Sequence, residues 1–482
     1  MRRSNLSGLI RSDPALGAPG EVSTIAGCLL PQAVQMSDPH DLDGLHAEHL
    51  AVQCSRFGRA LAECGYGGVL VHSGALAPVF RDDQTYPFKA LAWFRAWVPL
   101  GDVPDCFIHY EPGRKPRLLF HRPSDFWHKA SEPPAQGGWT TRIEIECVAD
   151  RKCARAALPP DLRSTVYVGE PFAELPAWGV AAINPDPFLA RIDYERARKT
   201  DYELACLRAA NRSAARGHLA AARAFAGGAA EFEIALAFLG ACAAREQDLP
   251  YPPIVALNEN CAVLHYQKLE RAAPPAVHSM LIDAGTEWGG YASDVTRTYS
   301  SGDADFSALV ARFDEMQQAL CASVRAGIDW RDVHLSAHHL VAELLREADV
   351  IRCDPEEAVE TGVSSVFLPH GVGHLLGLQV HDAGGRLSAP EGGEIPRPPG
   401  HPYLRLTRVL EPGFVVTMEP GLYFIDPLLE AARGDRRAGR INWTRVASLK
   451  RFGGIRIEDD LAVGASAVDN LTREAFLAAG RP

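Results

Sequence analysis

Two aspartates in a strand–turn–strand pattern are the first candidates for metal chemistry. Asp283 and Asp294 lie eleven residues apart, and Trp288-Gly289 between them reads as a two-residue hairpin turn. That turn predicts that Asp283 faces Asp294 directly across the ladder, with Cβ atoms about 4.5–5.5 Å apart. Carboxylates so close repel each other, and a pair of divalent cations about 3.5–4 Å apart would relieve the repulsion. The alternative is a solvated hairpin with two surface aspartates, which the apolar stretch 280–282 disfavours.

Three histidines and two glutamates follow later in the chain. His370, His374 and His381 fall within twelve residues and are separated by glycines, which allow a backbone to approach a ligand closely. Glu419 and Glu458 each stand at the end of an apolar, strand-like run. Taken singly, the histidines are ordinary core or surface residues and the glutamates ordinary strand-end acids. Together with the aspartates they form an oxygen-rich donor set that suits Mn²⁺, with Co²⁺ or Zn²⁺ as substitutes.

A strong helix start precedes these residues, and strand patterns surround them. Thr200 and Glu203 have the spacing of a capping box, and the alanine-rich run that follows ends at Gly227-Gly228. Hydrophobic patterns predict strands at 277–284, 292–299, 414–419 and 454–459, and helices at about 306–326 and 331–348. Each acidic candidate therefore lies in or at the end of a predicted strand.

The first part of the chain shows a separate α/β pattern. A helix is predicted at 45–61, a buried strand at 68–72 and another strand near 166–168. Pro185 and Pro187 then interrupt the pattern. We predict an N-terminal α/β domain at 36–190 and a catalytic domain at 191–482, while residues 1–35 form a disordered tail.

Composition excludes several classes of function. The chain has 482 residues, 47% of them hydrophobic, and a formal net charge of −11, without a long basic run, so nucleic acid is not an expected partner. No stretch approaches the roughly 20 apolar residues of a membrane span. The eleven cysteines contain no CxxC pair, which predicts reduced thiols and a cytoplasmic protein.

The ordered set of two aspartates, a histidine and two glutamates resembles the pita-bread metallopeptidases. Five segments, which begin at Asp248, Leu281, Leu368, His401 and Phe452, are most similar to the Xaa-Pro dipeptidase (prolidase) branch of that family. The similarity covers roughly residues 40–475. It implies an α/β (α+β) protein in which a creatinase-like N-terminal domain precedes a C-terminal pita-bread domain.

The resemblance also implies a role for each site residue. The ligands of two divalent metal ions would be Asp283, Asp294, His374, Glu419 and Glu458. Glu419 would also act as the base. His265 and His381 would stand around the reacting carbonyl, His370 on the substrate side, Arg405 on the substrate carboxylate, and Arg456 beside Glu458 in support of the site.

The implied activity is hydrolysis of Xaa-Pro dipeptides, with a side activity on organophosphorus triesters. A dedicated enzyme is reasonable because the X–Pro amide has no N–H for extended-strand recognition. Two rivals remain open: an aminopeptidase P that acts on longer peptides, and a pita-bread protein that binds a partner without catalysis. The presence of all five ligands disfavours the second rival.

The resemblance finally implies a homodimer in which one N-terminal domain helps to close the other subunit's site. The segment 80–84 would reach across, and Asp83 would bind the free α-amino group of the dipeptide. The alternative is that Asp82 and Asp83 form a solvated turn.

Overall fold

The computed structural model describes residues 39–124, 126–127, 129 and 131–480. The tail predicted at 1–35 lies outside these residues. The α-helices in the described part are α1 Pro39–Cys64, α2 Ala92–Arg95, α3 Arg151–Ala157, α4 Asp186–Arg196, α5 Asp201–Ala226, α6 Glu231–Cys242, α7 Ala304–Ser323, α8 Trp330–Glu347, α9 Pro355–Glu360, α10 Ser364–Phe367, α11 Asp426–Arg433, α12 Trp443–Leu449 and α13 Leu471–Ala479.

The strands of the same residues fall into one large sheet and several small ones. They are β1 Gly68–His72, β2 Phe107–Tyr110, β3 Arg117–His121, β4 Glu144–Val148, β5 Thr165–Val168, β6 Ala182–Ile183, β7 Ile254–Leu257, β8 Ser279–Asp283, β9 Glu287–Trp288, β10 Tyr291–Ala292, β11 Thr296–Ser300, β12 Leu387–Ala389, β13 Gly392–Glu394, β14 Val415–Met418, β15 Gly421–Tyr423, β16 Gly454–Arg456, β17 Asp459–Val463 and β18 Val468–Asn470.

The N-terminal part is built on a mixed six-stranded sheet in the order β4-β3-β2-β1-β5-β6. β1 lies inside this sheet, antiparallel to β2 and parallel to β5, and all five of its residues are buried. A strand covered on both faces requires a continuous apolar run, which is why the sequence at 68–72 does not alternate. Phe57 of α1 packs on this sheet together with Phe94 and Trp97. The predicted helix and strands of this part are confirmed.

The long helix α5 begins as its capping residues predict. Glu203 accepts a hydrogen bond from the Thr200 backbone N–H at 2.8 Å, and Thr200 Oγ1 accepts one from the Glu203 backbone N–H at 3.4 Å. Each side chain thus satisfies a backbone donor that the helix start leaves free. The helix ends at Ala226, next to Gly227, so this prediction is confirmed at both ends.

The C-terminal part combines small antiparallel sheets with helices on their outer sides. One sheet has the order β11-β8-β7, a second the order β14-β17-β18, and β15 pairs with β16. An isolated bridge between Thr296 and Glu458 joins the first sheet to the segment between β16 and β17. Phe313 of α7 and Trp330 of α8 pack with Phe414 in the largest core cluster. This arrangement brings the ends of β8, β14 and β16 close together.

The predicted register of the metal-candidate hairpin is wrong. Trp288 pairs with Tyr291, so the two-residue turn is Gly289-Gly290, and Asp283 pairs with Thr296 instead of Asp294. The two turn glycines have φ of 58° and 93°, because a type I′ turn requires positive φ at both central positions, which tryptophan disfavours and glycine accepts.

The register error moves the partner of Asp283 by two residues and therefore preserves the face of the sheet. Side chains alternate with a period of two, so an even shift leaves Asp283 and Asp294 on the same side as diagonal neighbours. In the described residues no helix is both long and apolar enough to cross a membrane.

Candidate metal centre

Four acidic side chains reach one place from the ends of different strands. Asp283 is the last residue of β8, and Asp294 lies just before β11. Glu419 directly follows β14, and Glu458 stands between β16 and β17. Asp294 and Glu458 are fully buried, whereas Asp283 and Glu419 are partly buried. Strand ends from three small sheets therefore carry the four carboxylates.

His374 joins this group through a close approach of its backbone to β14. Leu375 forms a bridge with Val416, and the Thr417 backbone N–H donates to the His374 carbonyl oxygen at 3.0 Å. A Cβ atom on Gly373 would lie 2.2 Å from the Thr417 carbonyl oxygen, so the contact requires glycine. The glycine spacing was interpreted as a close approach of the backbone to a ligand, whereas at Gly373 the surface approached is β14.

The imidazole of His374 is oriented toward the carboxylates. Its Nδ1–H donates to the Leu375 carbonyl oxygen at 3.0 Å, which leaves Nε2 free to bind a ligand. Metal-binding histidines typically donate their second ring N–H in this way. Nε2 lies 3.4 Å from Asp294 Oδ2 and 3.5 Å from Glu419 Oε1. One donor atom each from Asp294, His374 and Glu458 falls within 4.8 Å of the others.

Sequence analysis missed Tyr251, which connects the two aspartates. Its hydroxyl donates to Asp283 Oδ1 at 2.8 Å and to Asp294 Oδ1 at 2.6 Å. Tyr251 lies in the segment that begins at Asp248, so the resemblance covered it, but no local pattern marks a tyrosine as a partner of residues 32 and 43 positions later.

The electrostatics of the cluster are those of unbalanced buried acids. Burial, and then the charge of Asp294, raise the pKa of Glu458 well above its usual value. Burial likewise raises the pKa of Glu419 to about 7 despite the nearby His374. Burial also raises the pKa of Asp283, and the opposing charge of Arg456 only partly offsets it. These three carboxylates thus resist ionisation without additional positive charge, whereas the neighbouring His374 lowers the pKa of Asp294 despite its burial.

Arg456 supplies one positive charge and is fully engaged. Its Nη2 donates to Asp283 Oδ2 at 2.7 Å, its Nη1 to the Tyr423 hydroxyl at 2.9 Å and its Nε to Thr296 Oγ1 at 3.2 Å. Thr296 Oγ1 in turn donates to Glu458 Oε2 at 2.7 Å. The contact with Glu458 predicted for Arg456 therefore runs through Thr296, and its direct ion pair is with Asp283.

These residues fit a pair of divalent cations. Four converging carboxylates face a single guanidinium and one imidazole, and burial makes the missing positive charge costly. Two dications would supply four charges, and oxygen donors with one imidazole suit Mn²⁺, Co²⁺ or Zn²⁺. The donor set and its charge deficit are the two observations that support a metal centre.

His370 lies on one side of the centre in a hydrogen-bonded relay. Arg456 Nη1 donates to the Tyr423 hydroxyl, so that hydroxyl donates to His370 Nε2 at 2.9 Å. His370 Nδ1–H donates to the Gly371 carbonyl oxygen at 2.8 Å and lies 3.7 Å from Glu419 Oε2. Burial lowers the pKa of His370 to about 4, so this ring is neutral near pH 7.

His381, His265 and Arg405 lie on the open side of the centre. The His381 ring packs edge-on against His374 with centroids 4.5 Å apart. Desolvation, followed by the charges of His374 and Arg405, lowers the pKa of His381 to about 3. The charge of His265 contributes to lowering the pKa of both His370 and His381, so His265 lies near both rings. The structure therefore brings these three predicted residues to the same region, where all three are exposed.

The surroundings of two neighbouring arginines distinguish their roles. Arg408 is buried, its guanidinium lies 3.8 Å from the centre of the Tyr194 ring, and it donates to Glu411 at 3.0 Å. Arg405 is exposed. Arg405 is thus the arginine with an accessible guanidinium, as a clamp on a substrate carboxylate requires.

Asp83 is not brought to the centre within one chain. It is exposed and accepts a hydrogen bond from the Gln84 side chain at 3.4 Å, while Asp82 accepts one from the Gln84 backbone at 3.2 Å. These contacts describe a local turn, and the role of Asp83 across a subunit interface stays a prediction.

Comparison with known families covers both parts of the chain. Metallopeptidase family M24 matches residues 205–465, and the family described as "Xaa-Pro dipeptidase, N-terminal domain" matches residues 44–194.

Curated relatives match over nearly their whole length. The chain is 46% identical over 440 residues to an Xaa-Pro dipeptidase of Stenotrophomonas maltophilia strain K279a, which covers 91% of this chain and 99% of the relative. It is 45% identical over 439 residues to an Xaa-Pro dipeptidase of Xanthomonas axonopodis pv. citri, with the same coverage.

Solved structures of aminopeptidase P have the same fold. The low-pH form of the enzyme from E. coli superposes with a TM-score of 0.68 at 20% identity and covers 89% of this chain and 95% of that one. Aminopeptidase PepP of Pseudomonas aeruginosa gives a TM-score of 0.67 at 22% identity, with 88% and 95% covered. The α/β (α+β) fold class with a C-terminal pita-bread domain is thereby confirmed.

Proposed function

The chain belongs to metallopeptidase family M24 and is a peptidase, and from that premise we propose that it is a dinuclear-metal dipeptidase that hydrolyses Xaa-Pro dipeptides and releases proline. The observation that carries the proposal is the cluster of four carboxylates and one imidazole, whose charge a single arginine leaves unbalanced. Curated relatives named Xaa-Pro dipeptidases, 46% identical over 91% of the chain, support the substrate class.

The metal ligands proposed are Asp283, Asp294, His374, Glu419 and Glu458, with Mn²⁺ as the expected ion and Co²⁺ or Zn²⁺ as alternatives. When bound, a pair of divalent ions polarises the scissile carbonyl and lowers the pKa of water toward neutrality. Arg456 and Tyr251 hold the aspartates in place through the hydrogen bonds described above.

Glu419 is the proposed general base. Burial raises the pKa of this carboxyl group to about 7, and its Oε1 and Oε2 lie 3.5 Å from His374 Nε2 and 3.7 Å from His370 Nδ1, which supports a role in proton transfer. The Glu419 carboxylate would take the proton from water, and the leaving proline nitrogen would receive a proton directly from it or through His265 or His381. His265 and His381, on the open side, would stabilise the oxyanion of the tetrahedral intermediate.

Two groups would recognise the ends of a dipeptide. Arg405, exposed beside His381, would hold the free carboxylate of proline, and His370 would face the substrate from the opposite side. Recognition of that carboxylate so near the reacting bond would exclude longer peptides. Asp83 of a second subunit would bind the α-amino group, which makes a homodimer part of the proposal.

Three further predictions concern the domain division, the cellular location and a second substrate class. A division into 36–190 and 191–482, and a cytoplasmic location, stay predictions. No observation on the described residues favours the side activity on organophosphorus triesters, which also stays a prediction.

The decisive experiment compares dipeptides with tripeptides. Metal-free protein is reconstituted with Mn²⁺ or Zn²⁺ and assayed on Xaa-Pro, on Xaa-Pro-Xaa and on an Xaa-Ala dipeptide as control. We expect release of proline from Xaa-Pro alone, and only after metal is added. Cleavage of the tripeptide at a similar rate would favour the aminopeptidase P alternative.

A further inference from the structure

Three histidines outside the candidate centre form a compact cluster. His334 and His338 lie one turn apart on α8, and His401 approaches them from the loop before Leu404. The three ring centroids are 4.5–4.7 Å apart, and one nitrogen from each ring falls within 4.8 Å of the others. His334 and His338 are each 1% exposed, so their rings are withdrawn from bulk solvent.

The hydrogen bonds of this cluster leave ring nitrogens without partners. His338 Nδ1 lies 3.1 Å from Ser364 Oγ, and His334 Nε2 lies 2.9 Å from His401 Nδ1. Among the described residues, His338 Nε2 and His334 Nδ1 are buried and have no hydrogen-bond partner. Buried imidazole nitrogens are nearly always paired, so the orphaned Nε2 of His338, within a cluster of three rings, requires an explanation.

The protonation state of the rings suits ligation. Burial, followed by the charges of the neighbouring histidines, lowers the pKa of His334 to about 2 and that of His338 to about 3. Both rings are therefore neutral near pH 7, and each retains a lone pair on one nitrogen. Neutral imidazole is the form that binds metal.

We propose that His334, His338 and His401 form a third metal site, which takes Zn²⁺ and is separate from the carboxylate-rich centre. The donor chemistry differs between the two sites, because three imidazoles without a carboxylate favour Zn²⁺ over Mn²⁺ or Mg²⁺. His338 presents Nε2 to the ion, and Ser364 orients the ring through its contact with Nδ1. Metal-binding histidines commonly have such a hydrogen-bond partner on their second nitrogen.

The geometry requires only a small adjustment. Two imidazole ligands of a tetrahedral zinc ion lie about 3.3–3.4 Å apart, since each Zn–N bond is about 2.0–2.1 Å. His334 Nε2 and His401 Nδ1 are 2.9 Å apart, so the ion replaces their hydrogen bond after an opening of about 0.4 Å. His401 lies on a loop and is only half-buried, which permits that movement.

The site borders the substrate side of the candidate centre. A cavity of about 180 Å³ is lined by His334 and His401 and also by His370 and Tyr403. The cavity leaves room for a fourth, non-protein ligand of the zinc ion. Because His401 is four residues from Arg405, an ion bound here restrains the loop that carries the proposed carboxylate clamp, and this coupling rests on the proposed function.

Zinc stoichiometry tests the site without reference to activity. The Mn²⁺-loaded protein is equilibrated with Zn²⁺, freed of loose metal and submitted to elemental analysis, as wild type and as His338→Gln, His401→Gln and His339→Gln. His339 is the matched control, because it lies on the same helix, is more exposed and pairs with Glu343 at 3.3 Å. We expect wild type and His339→Gln to hold one zinc per chain more than the other two variants.

A weaker perturbation guards against misfolding of the ligand variants. Ser364→Ala removes no ligand, and loss of a second-shell contact should weaken this zinc about 10- to 100-fold in a calorimetric titration with Zn²⁺. Equal zinc content in wild type and His401→Gln, or unchanged affinity in Ser364→Ala, would overturn the site.

Kinetics test the coupling separately. One equivalent of Zn²⁺ beyond the catalytic metals should change KM for an Xaa-Pro dipeptide in wild type and not in His401→Gln. If wild type holds the extra zinc and its KM does not change, the coupling is wrong. If no dipeptide is cleaved at all, the proposed function fails while the zinc count still decides the site.

Discussion

Asp283 and Arg456 form a buried ion pair, with Asp283 Oδ2 2.7 Å from Arg456 Nη2. The pair joins the end of β8 to the end of β16, two strands of different sheets. Only one of the four clustered carboxylates is balanced by an arginine, and His374 lies beside Asp294, so Glu419 and Glu458 are the acids that must find positive charge elsewhere. Bound metal ions and Arg456 would thus both compensate the negative charge of the same four carboxylates.

Loss of a single carboxylate should remove the metals and leave the fold. Asp283→Asn and Glu458→Gln each keep the side-chain volume while removing a charged donor, so we expect most bound metal and nearly all activity to be lost. Elemental analysis and circular dichroism measure both effects. Glu430→Gln, on the exposed side of α11, is the control. Full metal content in either variant would remove that residue from the ligand set.

Arg456→Lys should lower activity without unfolding the protein. A lysine keeps the charge but cannot contact Asp283, Tyr423 and Thr296 at once, because its ammonium lacks the planar fork. We expect a loss of about 10- to 100-fold in metal affinity or kcat, as for other supporting contacts of metal ligands. The same change at the half-exposed Arg451 should have no effect, and equal losses at both positions would contradict the assignment.

Locally encoded features of this chain could be predicted from the sequence. The capping box at Thr200 and Glu203 acts within four residues, and the buried strand 68–72 is a continuous apolar run, so both predictions held. Asp283, Glu419 and Glu458 also stand at or just beyond strand ends as expected, whereas Asp294, predicted within a strand at 292–299, lies between β10 and β11. Their roles as ligands stay predictions until metal is measured.

Features that depend on distant residues could not be predicted. The hairpin register failed because Trp288-Gly289 and Gly289-Gly290 both fit a two-residue turn by spacing, and only the positive φ at both positions decides between them. Tyr251 donates to aspartates 32 and 43 residues away, and His334 meets His401 across 67 residues. Such contacts arise from packing of whole elements and leave no periodic trace in the sequence.

Arg405→Ala should impair dipeptides that have a free carboxylate more than it impairs their amides. A charge-assisted bidentate contact contributes about 1.5–3 kcal/mol, so KM for Xaa-Pro should rise about 10- to 150-fold. The matched substrate is the dipeptide amide, whose KM should change little. The matched variant is Arg386→Ala. Arg386 directly precedes β12 and forms an ion pair with Glu394 of β13. Equal losses on both substrates would indicate a structural role for Arg405.

Removal of metal should make stability depend on pH. In the metal-free fold the pKa of Asp283, Glu419 and Glu458 is raised, so the folded state holds protons that the unfolded chain releases. The free energy of unfolding should therefore fall as pH rises from about 4.5 through about 7, and Glu419 alone accounts for roughly 3 kcal/mol. Denaturant unfolding at pH 5 and pH 8, with chelator or with saturating Mn²⁺, measures this. A metal-free protein that is more stable at pH 8 would contradict it.

The proposed contact of Asp83 with the neighbouring subunit's site can be tested by mixing two impaired variants at a dipeptide concentration well below their KM. Asp83→Ala and Arg405→Ala each damage every site in their own homodimers. In a mixed dimer, the site that keeps Arg405 would receive Asp83 from the other subunit, while the second site would lack both residues. Random reassembly forms mixed dimers in half of the cases, so about a quarter of all sites should become active.

Asp83 is exposed, and Gln84 is its one hydrogen-bond partner among the described residues, so its carboxylate is accessible to such a partner. Asp82→Ala mixed with Arg405→Ala is the comparison, since Asp82 is the adjacent carboxylate and accepts its hydrogen bond locally, from the Gln84 backbone N–H. We expect Asp82→Ala to retain most activity before mixing, and rescue to appear only with Asp83→Ala. Sedimentation of the wild-type enzyme measures its oligomeric state in parallel. A fully active monomer, or mixtures that never exceed their components, would show that Asp83 does not act across an interface and that a solvated turn is its whole role.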